Sequence, residues 1–317
     1  MTAHPSTTVA VLSYSQPARL AALVARMREQ TVVPDEVLIV WSSATPLVLP
    51  LESMTGVRVL AIPPAEFGHG RTRNLALRST ATQILVLITD DASPADDQWL
   101  AELLRPFVER PRVGAVFGRQ VVADARSAEA VFRRARYPTS SFPIRLDPGR
   151  VFDLERTPAS NANAAYCASA LRAVGGFRED LVSGEDNAAT VTLLDAHHDV
   201  WYACDSRVMH THSYGFIGQV QRTFDMATGH RQLRRRYGLR VSRASGYGSL
   251  LWSMVRTSTS LSWRSRLGLA TDIAARVVGV MIARLSPALP RAVRRRVSRQ
   301  RWFYATRGPG TTRDPLT

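Results

Sequence analysis

Short apolar segments alternate with amphipathic segments over the first 120 residues of the chain. The apolar segments favour β-strands, because they are short, rich in branched side chains and followed by polar residues. The five predicted strands cover residues 8–14, 35–43, 57–63, 83–91 and 113–122. The amphipathic segments at 17–30, 70–81 and 96–110 predict helices, since their apolar residues recur at helical spacing.

The predicted strands are apolar on both faces, which is typical of a parallel sheet covered by helices on both sides. We therefore predict an α/β fold, Rossmann-like, with a mostly parallel sheet and flanking helices. Ligands of such sheets bind beyond the carboxyl ends of the strands. Three short polar runs fall at those ends: Ser13-Tyr14, Trp41-Ser42-Ser43 and Thr89-Asp90-Asp91.

The pattern loosens after residue 124 and then returns. Residues 133–158 are polar and rich in proline, and we interpret them as a long excursion from the regular fold. Order returns from residue 160, and the segment 183–214 predicts a helix followed by a strand that ends on His210 and His212. From residue 217 onward the chain favours helices or a tail.

Charge divides the chain into two parts. Residues 240–317 hold 15 Arg against two acidic residues, so they carry +13 of the net charge of +15. We therefore predict a domain at 1–239 and a basic, helical C-terminal region at 240–317. The first part has no basic stripe with interleaved aromatic residues, and we expect no nucleic-acid partner.

Several classes of protein are disfavoured by motifs that the sequence lacks. No Gly-rich dinucleotide signature follows the first strand, where SYSQPARL stands, and no P-loop or G-x-S-x-G motif occurs. The two cysteines are too few for a disulfide framework. We find no signal peptide, and the longest charge-free apolar run near the C-terminus, 277–283, is far shorter than a membrane span. We expect a cytoplasmic protein, with peripheral contact at the inner face of the membrane as an option.

Three pairs of chemically active side chains stand at the ends of predicted elements: Asp90-Asp91, Glu185-Asp186 and His210-x-His212. Two carboxylates at a strand end can hold Mg²⁺ or Mn²⁺, which often complete their shells with substrate phosphates. A second carboxylate can take the proton from an attacking hydroxyl group, and a histidine can add a nitrogen ligand that Mn²⁺ accepts.

Each pair also has a purely structural interpretation. Asp90-Asp91 is compatible with an ordinary turn after a strand. Glu185-Asp186 follows Ser183-Gly184 and is compatible with the start of a helix, where carboxylates are favoured. The two histidines are compatible with a polar strand edge. The combination of the three pairs favours a site.

The motifs that follow resemble glycosyltransferase family 2, whose members are inverting transferases of the GT-A fold, and within it the bacterial rhamnosyltransferases that use a dTDP-activated L-rhamnose donor. The resemblance covers roughly residues 7–237. It is carried by the segments FGHGRTRNLA (67–76), LITDDASPADDQWL (87–100), CASALRAVGGFREDLVSGEDNAATVTLL (167–194) and RVMHTHSYGFIGQVQRTFDMATGH (207–230).

The resemblance implies a role for each candidate residue. Asp186 is the expected catalytic base, with Glu185 as a supporting or alternative base. Asp91 and His210 are the expected metal ligands, with His212 as a weaker candidate. The residues expected to bind the donor are Ser13, Tyr14, Trp41, Ser42, Arg73, Asn74 and Asp90. The second strand of the family usually ends on an aspartate that contacts the base, and Trp41-Ser42 here would replace it by a stacking or backbone contact.

The expected function is the transfer of a sugar, L-rhamnose from dTDP-rhamnose, onto a hydroxyl of a glycan or lipid-linked acceptor in cell-envelope or polysaccharide synthesis. One alternative is a transferase that uses UDP-hexose or UDP-galactofuranose. Another is an inactive GT-A scaffold in a glycan-assembly complex.

The basic C-terminal region has two interpretations of its own. Leu269, Ile273, Val277 and Met281 recur at four-residue spacing, with several arginines nearby. Apolar area with arginine suits an anionic membrane surface, so a peripheral tether is one expectation. Packing of these helices against the body or a second subunit is the other.

Overall fold

The computed structural model describes residues 4–13, 17–47, 54–125, 127–211, 214–240, 246–256, 258 and 261–305. The strands in these ranges are β1 (Thr7–Ser13), β2 (Glu36–Trp41), β3 (Val57–Ala61), β4 (Ile84–Thr89), β5 (Ala92–Pro94), β6 (Val113–Val121), β7 (Phe142–Ile144), β8 (Asn163–Cys167) and β9 (Asp199–His210). The α-helices are α1 (Pro17–Arg28), α2 (His69–Ser79), α3 (Trp99–Glu109), α4 (Ala128–Arg136), α5 (Ala168–Ala173), α6 (Glu185–Asp195), α7 (Phe216–Tyr237), α8 (Tyr247–Arg256), α9 (Trp263–Leu285), α10 (Arg291–Val297) and α11 (Arg301–Ala305).

The strands within these ranges form one nine-stranded sheet in the order β3-β2-β1-β4-β8-β6-β9-β5, with β7 on β9. The four strands β1 to β4 are mutually parallel. The later strands make the sheet mixed, because β8 runs antiparallel to both β4 and β6. The α/β prediction is confirmed. The predicted parallel arrangement holds for β1 to β4 and for the pair of β6 and β9, while β5, β7 and β8 run antiparallel to their neighbours.

Both faces of the sheet are buried, which explains why the strands lack a polar face. In β1, Val9 and Val11 belong to the core on one face and Ala10 to the core on the other. Helices α1 and α3 cover the first face through side chains that include Leu20 and Leu103. Alternate residues of a strand point to opposite faces, so a sheet covered twice requires apolar residues at every position.

The segment 133–158 is more ordered than its composition indicates, and the prediction of a long excursion is wrong at both ends of the segment. Helix α4 extends to Arg136 and begins after Ser127, whose Oγ accepts a hydrogen bond of 3.1 Å from the backbone N–H of Ala130. Further on, Phe152 and Leu154 are buried in the core. The polar residues around them hide the apolar positions from a pattern search.

Within the described part of the C-terminal region, helix α9 packs along α7. Gly279 allows this close approach, because a Cβ at this position would lie 2.7 Å from the backbone oxygen of Val220. The Arg276 side chain is fully buried and contacts Asp272 at 2.7 Å and the ring of Phe132 in α4 at 4.0 Å. Of the two expectations for this region, packing against the body therefore holds for α9. No helix in the described ranges is long and apolar enough to cross a membrane.

Candidate active site

The carboxyl ends of β1, β2 and β4 meet at one edge of the sheet. Adjacent parallel strands pair Ser13 with Trp41 and Leu12 with Thr89. Ser13 Oγ consequently donates a hydrogen bond of 2.7 Å to Asp90 Oδ2. Burial raises the pKa of Asp90, and the neighbouring Asp91 raises it further, while the bond from Ser13 lowers it. The bond orients Asp90 at the start of the turn.

Asp91 meets His210 because of the way the chain folds back after β4. The short strand β5 begins at Ala92 and pairs antiparallel with the end of β9, where Ala92 lies opposite His210. His210 Nε2 and Asp91 Oδ1 are 3.1 Å apart. Two candidate metal ligands that are 119 residues apart in sequence therefore lie side by side.

A buried amide holds the ring of His210. His210 Nδ1 lies 2.8 Å from Gln120 Oε1, the carbonyl oxygen of a side chain from β6. Nδ1–H donates to this oxygen, which leaves Nε2 as the nitrogen that faces Asp91. Burial lowers the pKa of His210, and the nearby Arg133 guanidinium also lowers it, although Asp91 acts in the opposite direction. Sequence reasoning missed Gln120, which no motif marks.

The donor atoms of Asp91 and His210 fit a small divalent cation. Neighbouring ligands of an octahedral ion with bonds of about 2.1 Å lie about 3.0 Å apart, close to the observed 3.1 Å. In the described ranges, no group of three or more His, Cys, Asp or Glu side chains is arranged to hold a metal ion. Two protein ligands suit an ion that takes its remaining ligands from a diphosphate and water.

The second carboxylate pair lies at the start of helix α6. Gly184 precedes the helix with φ of 91°, a left-handed conformation that glycine adopts without strain. Glu185 Oε1 forms a buried ion pair of 2.7 Å with Arg73 Nη1 of α2. Burial opposes the charge of Glu185, but the attraction of Arg73 and His69 holds its pKa below the ordinary value. Glu185 is thus fixed as a carboxylate that is already paired.

Asp186 is in a different environment from its neighbour. Its Oδ1 accepts hydrogen bonds from the backbone and side-chain N–H groups of Asn187, at 2.7 and 3.0 Å. Burial raises the pKa of Asp186 to about 6, and the charge of Glu185 contributes to the rise. A carboxylate with a raised pKa is a stronger base, and Asp186 lines a cavity where it can meet a substrate.

This cavity has a volume of about 270 Å³ and connects the elements described above. His210 and Asp186 both line it, so the metal-binding end and the carboxylate pair face one space. Arginines dominate its charged lining in the described part of the chain. They are Arg73, Arg133, Arg136, Arg222 and Arg299. The acidic side chains in the lining are Glu185, Asp186 and Asp225.

Three of these arginines have buried nitrogens with unused hydrogen-bonding capacity. In the described part of the cavity lining, the arginine nitrogens without a hydrogen-bond partner are Arg73 Nε, Arg136 Nε and Arg222 Nη1. Arg222 lies over the rings of Phe132 and Tyr214, with 5.9 and 5.4 Å between its guanidinium carbon and the ring centres. A buried guanidinium with unused donors is a suitable partner for an anionic oxygen. Sequence reasoning missed Arg136, which no motif marks, and gave no role to Arg222, although it lies within the family-like segment 207–230.

The basic C-terminal region contributes one wall of the cavity, which the sequence did not predict. Arg299 and Gln300 line it, and Asp225 of α7 holds them in place. The Asp225 carboxylate accepts hydrogen bonds from Ser298 Oγ at 2.5 Å and from the backbone N–H of Arg299 at 2.9 Å. Burial raises the pKa of Asp225 to about 7.

Two candidate donor-binding side chains are buried and hydrogen-bonded to other residues of the fold. Trp41 is buried in the core, and its Nε1 donates to the backbone oxygen of Thr45 at 2.9 Å. The Asn74 amide bonds to the backbone oxygen of Phe177 at 2.8 Å and to Glu179 Oε1 at 2.7 Å. Their buried positions favour a role in supporting the walls of the site, because little of either surface can reach a nucleotide.

The remaining candidate site residues differ in where the structure places them. Ser42 is buried, and its backbone N–H donates a hydrogen bond of 2.8 Å to the backbone carbonyl oxygen of Ser13. Arg73 lies in the cavity wall as described above. Tyr14 and His212 lie outside the described residues.

Comparison with known proteins gives the family. The family model described as Glycosyl transferase family 2 matches residues 8–175. The chain belongs to glycosyl transferase family 2. Within the family it is similar to the O-antigen chain rhamnosyltransferase WbaN of Salmonella anatum, with 31% identity over 229 residues, which are 71% of this chain and 72% of that protein. It is also similar to the O-antigen chain rhamnosyltransferase RfbN of Salmonella typhimurium, with 28% identity over 207 residues, or 64% of this chain and 66% of that protein.

Solved structures confirm the GT-A fold of this family 2 chain. The mannosyltransferase PcManGT from Pyrobaculum calidifontis, in complex with GDP-Man and Mn²⁺, matches it with a TM-score of 0.55 at 17% identity, over 95% of this chain and 86% of that one. GalNAc-T7 with UDP, GalNAc and Mn²⁺ matches with a TM-score of 0.53 at 13% identity, over 87% of this chain and 58% of that one. The predicted family, fold and helical C-terminal region are confirmed.

Proposed function

We propose that this family 2 glycosyltransferase is an inverting rhamnosyltransferase that moves L-rhamnose from dTDP-rhamnose to a hydroxyl group of a glycan or lipid-linked acceptor. One observation carries the catalytic part of the proposal: a carboxylate with a raised pKa, Asp186, shares an arginine-lined cavity with His210, the partner of Asp91.

Asp186 acts as the general base. Its carboxylate takes the proton of the acceptor hydroxyl, and the oxygen attacks the anomeric carbon from the face opposite the nucleoside diphosphate. Glu185 supports this role, because its buried charge raises the pKa of Asp186. Arg73 holds Glu185 ionised. Because Glu185 is engaged in this ion pair, it is less available to act as a base itself.

Asp91 and His210 would hold Mg²⁺ or Mn²⁺, with Gln120 fixing the ring of His210. The bound cation supplies positive charge at the leaving diphosphate. Two structural neighbours are complexes with Mn²⁺, which supports the choice of a divalent ion. Arg136 and Arg222 would donate to anionic oxygens of the substrates. Asp90 and Ser13, linked by their hydrogen bond, would border the donor at the same edge of the sheet.

The donor assignment rests on the similarity to two O-antigen chain rhamnosyltransferases. Its test is a thermal-shift comparison of dTDP, UDP and GDP, each with and without Mn²⁺. A ligand that binds only the folded state raises the melting temperature, and at equal ligand concentration the tighter ligand raises it more. We expect dTDP with Mn²⁺ to give the largest shift. A larger shift with UDP would favour the alternative of a UDP-hexose or UDP-galactofuranose donor.

We place the reaction in cell-envelope or polysaccharide synthesis, at the cytoplasmic side of the membrane. The competing hypothesis is an inactive scaffold. Release of dTDP from dTDP-rhamnose without an acceptor separates the two, because slow donor hydrolysis requires the metal site and the base. A wild-type protein that binds dTDP but releases none from the sugar nucleotide would support the scaffold.

A further inference from the structure

We propose that the outward face of helix α9 is a docking surface for an anionic lipid bilayer. This face carries a continuous row of exposed apolar side chains along the whole helix. They are Trp263, Leu267, Ala270, Ala274, Val277, Val278, Met281 and Leu285. We call this row the α9 stripe. Its members recur every three or four residues, so they share one side of a helix about 34 Å long.

The α9 stripe is exposed because the opposite side of the helix is already buried. Leu269, Ala275, Arg276, Gly279 and Ala283 form that inner side. Gly279 contacts α7, and Arg276 reaches Asp272 and the ring of Phe132. The buried guanidinium fixes the rotation of the helix, because turning α9 would expose Arg276 or break its pairing. The apolar row is thus held outward by packing.

Charge around the α9 stripe indicates the chemistry of its occupant. Exposed arginines border it at both ends: Arg264 and Arg266 near the first turn and Arg284 near the last. In the described part of the C-terminal region, Asp272 is the one acidic residue, and it lies on the inner side with Arg276. Apolar area with a cationic border suits an anionic membrane surface, where each arginine near the surface adds to binding.

A second copy of the chain is a poorer occupant for the same reason. If two α9 stripes paired across a two-fold axis, the arginines at one end of a helix would face those of its partner. Like charges brought together in this way oppose association. An aromatic residue at the first turn, Trp263, also suits the boundary between water and lipid.

The docking surface is connected to the candidate active site through one helix. Helix α7 contacts α9 along one side, and its residues Arg222, Asp225 and His230 line the cavity. Docking through α9 would therefore hold the cavity one helix layer from the bilayer. The α9 stripe lies outside the cavity lining, and lipid binding there does not depend on the proposed reaction.

The test is sedimentation of the full chain with vesicles of equal parts phosphatidylglycerol and phosphatidylcholine, compared with phosphatidylcholine alone. We expect binding to the anionic vesicles only, weakening as salt is raised. The variant Leu267→Glu with Met281→Glu should bind at least roughly tenfold more weakly, since it places two charges on the apolar row. The control Val33→Glu changes an equally exposed valine far along the sequence and should bind as the wild type does.

A second variant tests the charge separately. Arg264→Gln with Arg266→Gln should also weaken binding, by roughly tenfold or more, and should reduce its salt dependence. Melting temperatures of all variants should match the wild type, because the changed side chains are exposed. Absence of binding to anionic vesicles at low salt would overturn the proposal. So would a wild-type dimer that Leu267→Glu with Met281→Glu converts to a monomer, because the occupant would then be a second copy.

Discussion

The substitution Asp186→Asn separates the two interpretations of the Glu185-Asp186 pair. Asparagine has nearly the same shape, and its Oδ1 can still accept the 2.7 Å hydrogen bond from the Asn187 backbone. What is lost is the negative charge and the ability to take a proton. A general base contributes roughly 10²–10⁴ to turnover, so we expect a loss of this size with donor affinity unchanged.

The structure also sets the expected change in stability. Burial and Glu185 raise the pKa of Asp186 from 3.8 to about 6. A pKa rise of about two units means that the folded state disfavours the ionised form of Asp186 by roughly 3 kcal/mol. Contact of the partly exposed Asp186 carboxylate with solvent reduces that figure. The wild type therefore loses stability as pH rises from about 4 to about 6, and the variant does not. At pH 8 the melting temperature of Asp186→Asn should equal or exceed that of the wild type.

The assay measures dTDP release and melting temperature across pH 5 to pH 9. The wild-type rate should fall below about pH 6, where Asp186 becomes protonated. The control is Asp195→Asn, the same chemical change at the last residue of α6, where an exposed carboxylate pairs with Arg150 at 2.9 Å. It should change rate and stability little. A variant Asp186→Asn that keeps its turnover and loses about 1 kcal/mol of stability would refute the base and support a helix-start role.

Three further predictions follow from the same contacts. Asp91→Ala should abolish the Mn²⁺-dependent part of dTDP binding in a thermal-shift assay without lowering the melting temperature of the free protein. If the variant still bound dTDP in Mn²⁺ as the wild type does, Asp91 would not be a metal ligand. Arg73→Met should destabilise the protein by roughly 3–5 kcal/mol in urea unfolding, because it leaves the buried Glu185 charge unpaired. The control Arg58→Met breaks a more exposed ion pair with Glu36 and should lower the free energy of unfolding by less than about 1 kcal/mol. Deletion of residues 240–317 should give aggregated protein in size-exclusion chromatography, because it uncovers the side of α7 on which α9 packs; a folded monomer would restore the expectation of a dispensable tether.

Local patterns in the sequence determined the elements and the most marked residues of the site. The alternation of apolar and amphipathic segments was sufficient to predict β1 to β4 with their helices. Burial on both faces leaves a continuous apolar run in each strand, and burial of one face leaves a helical period in each helix. The strand-end positions of Ser13, Asp90 and Asp91 followed from the same pattern. The motifs that resemble family 2 then supplied roles that no spacing could provide.

Tertiary structure alone decided which distant residues meet. The pairing of β5 with β9 brings His210 to Asp91, and no local signal records the register of two strands so far apart in sequence. The buried environment that raises the pKa of Asp186 arises from the whole cavity wall. The arginine lining and the outward α9 stripe also depend on how helices pack, because a helical pattern defines the faces of a helix but does not state which face its neighbours cover.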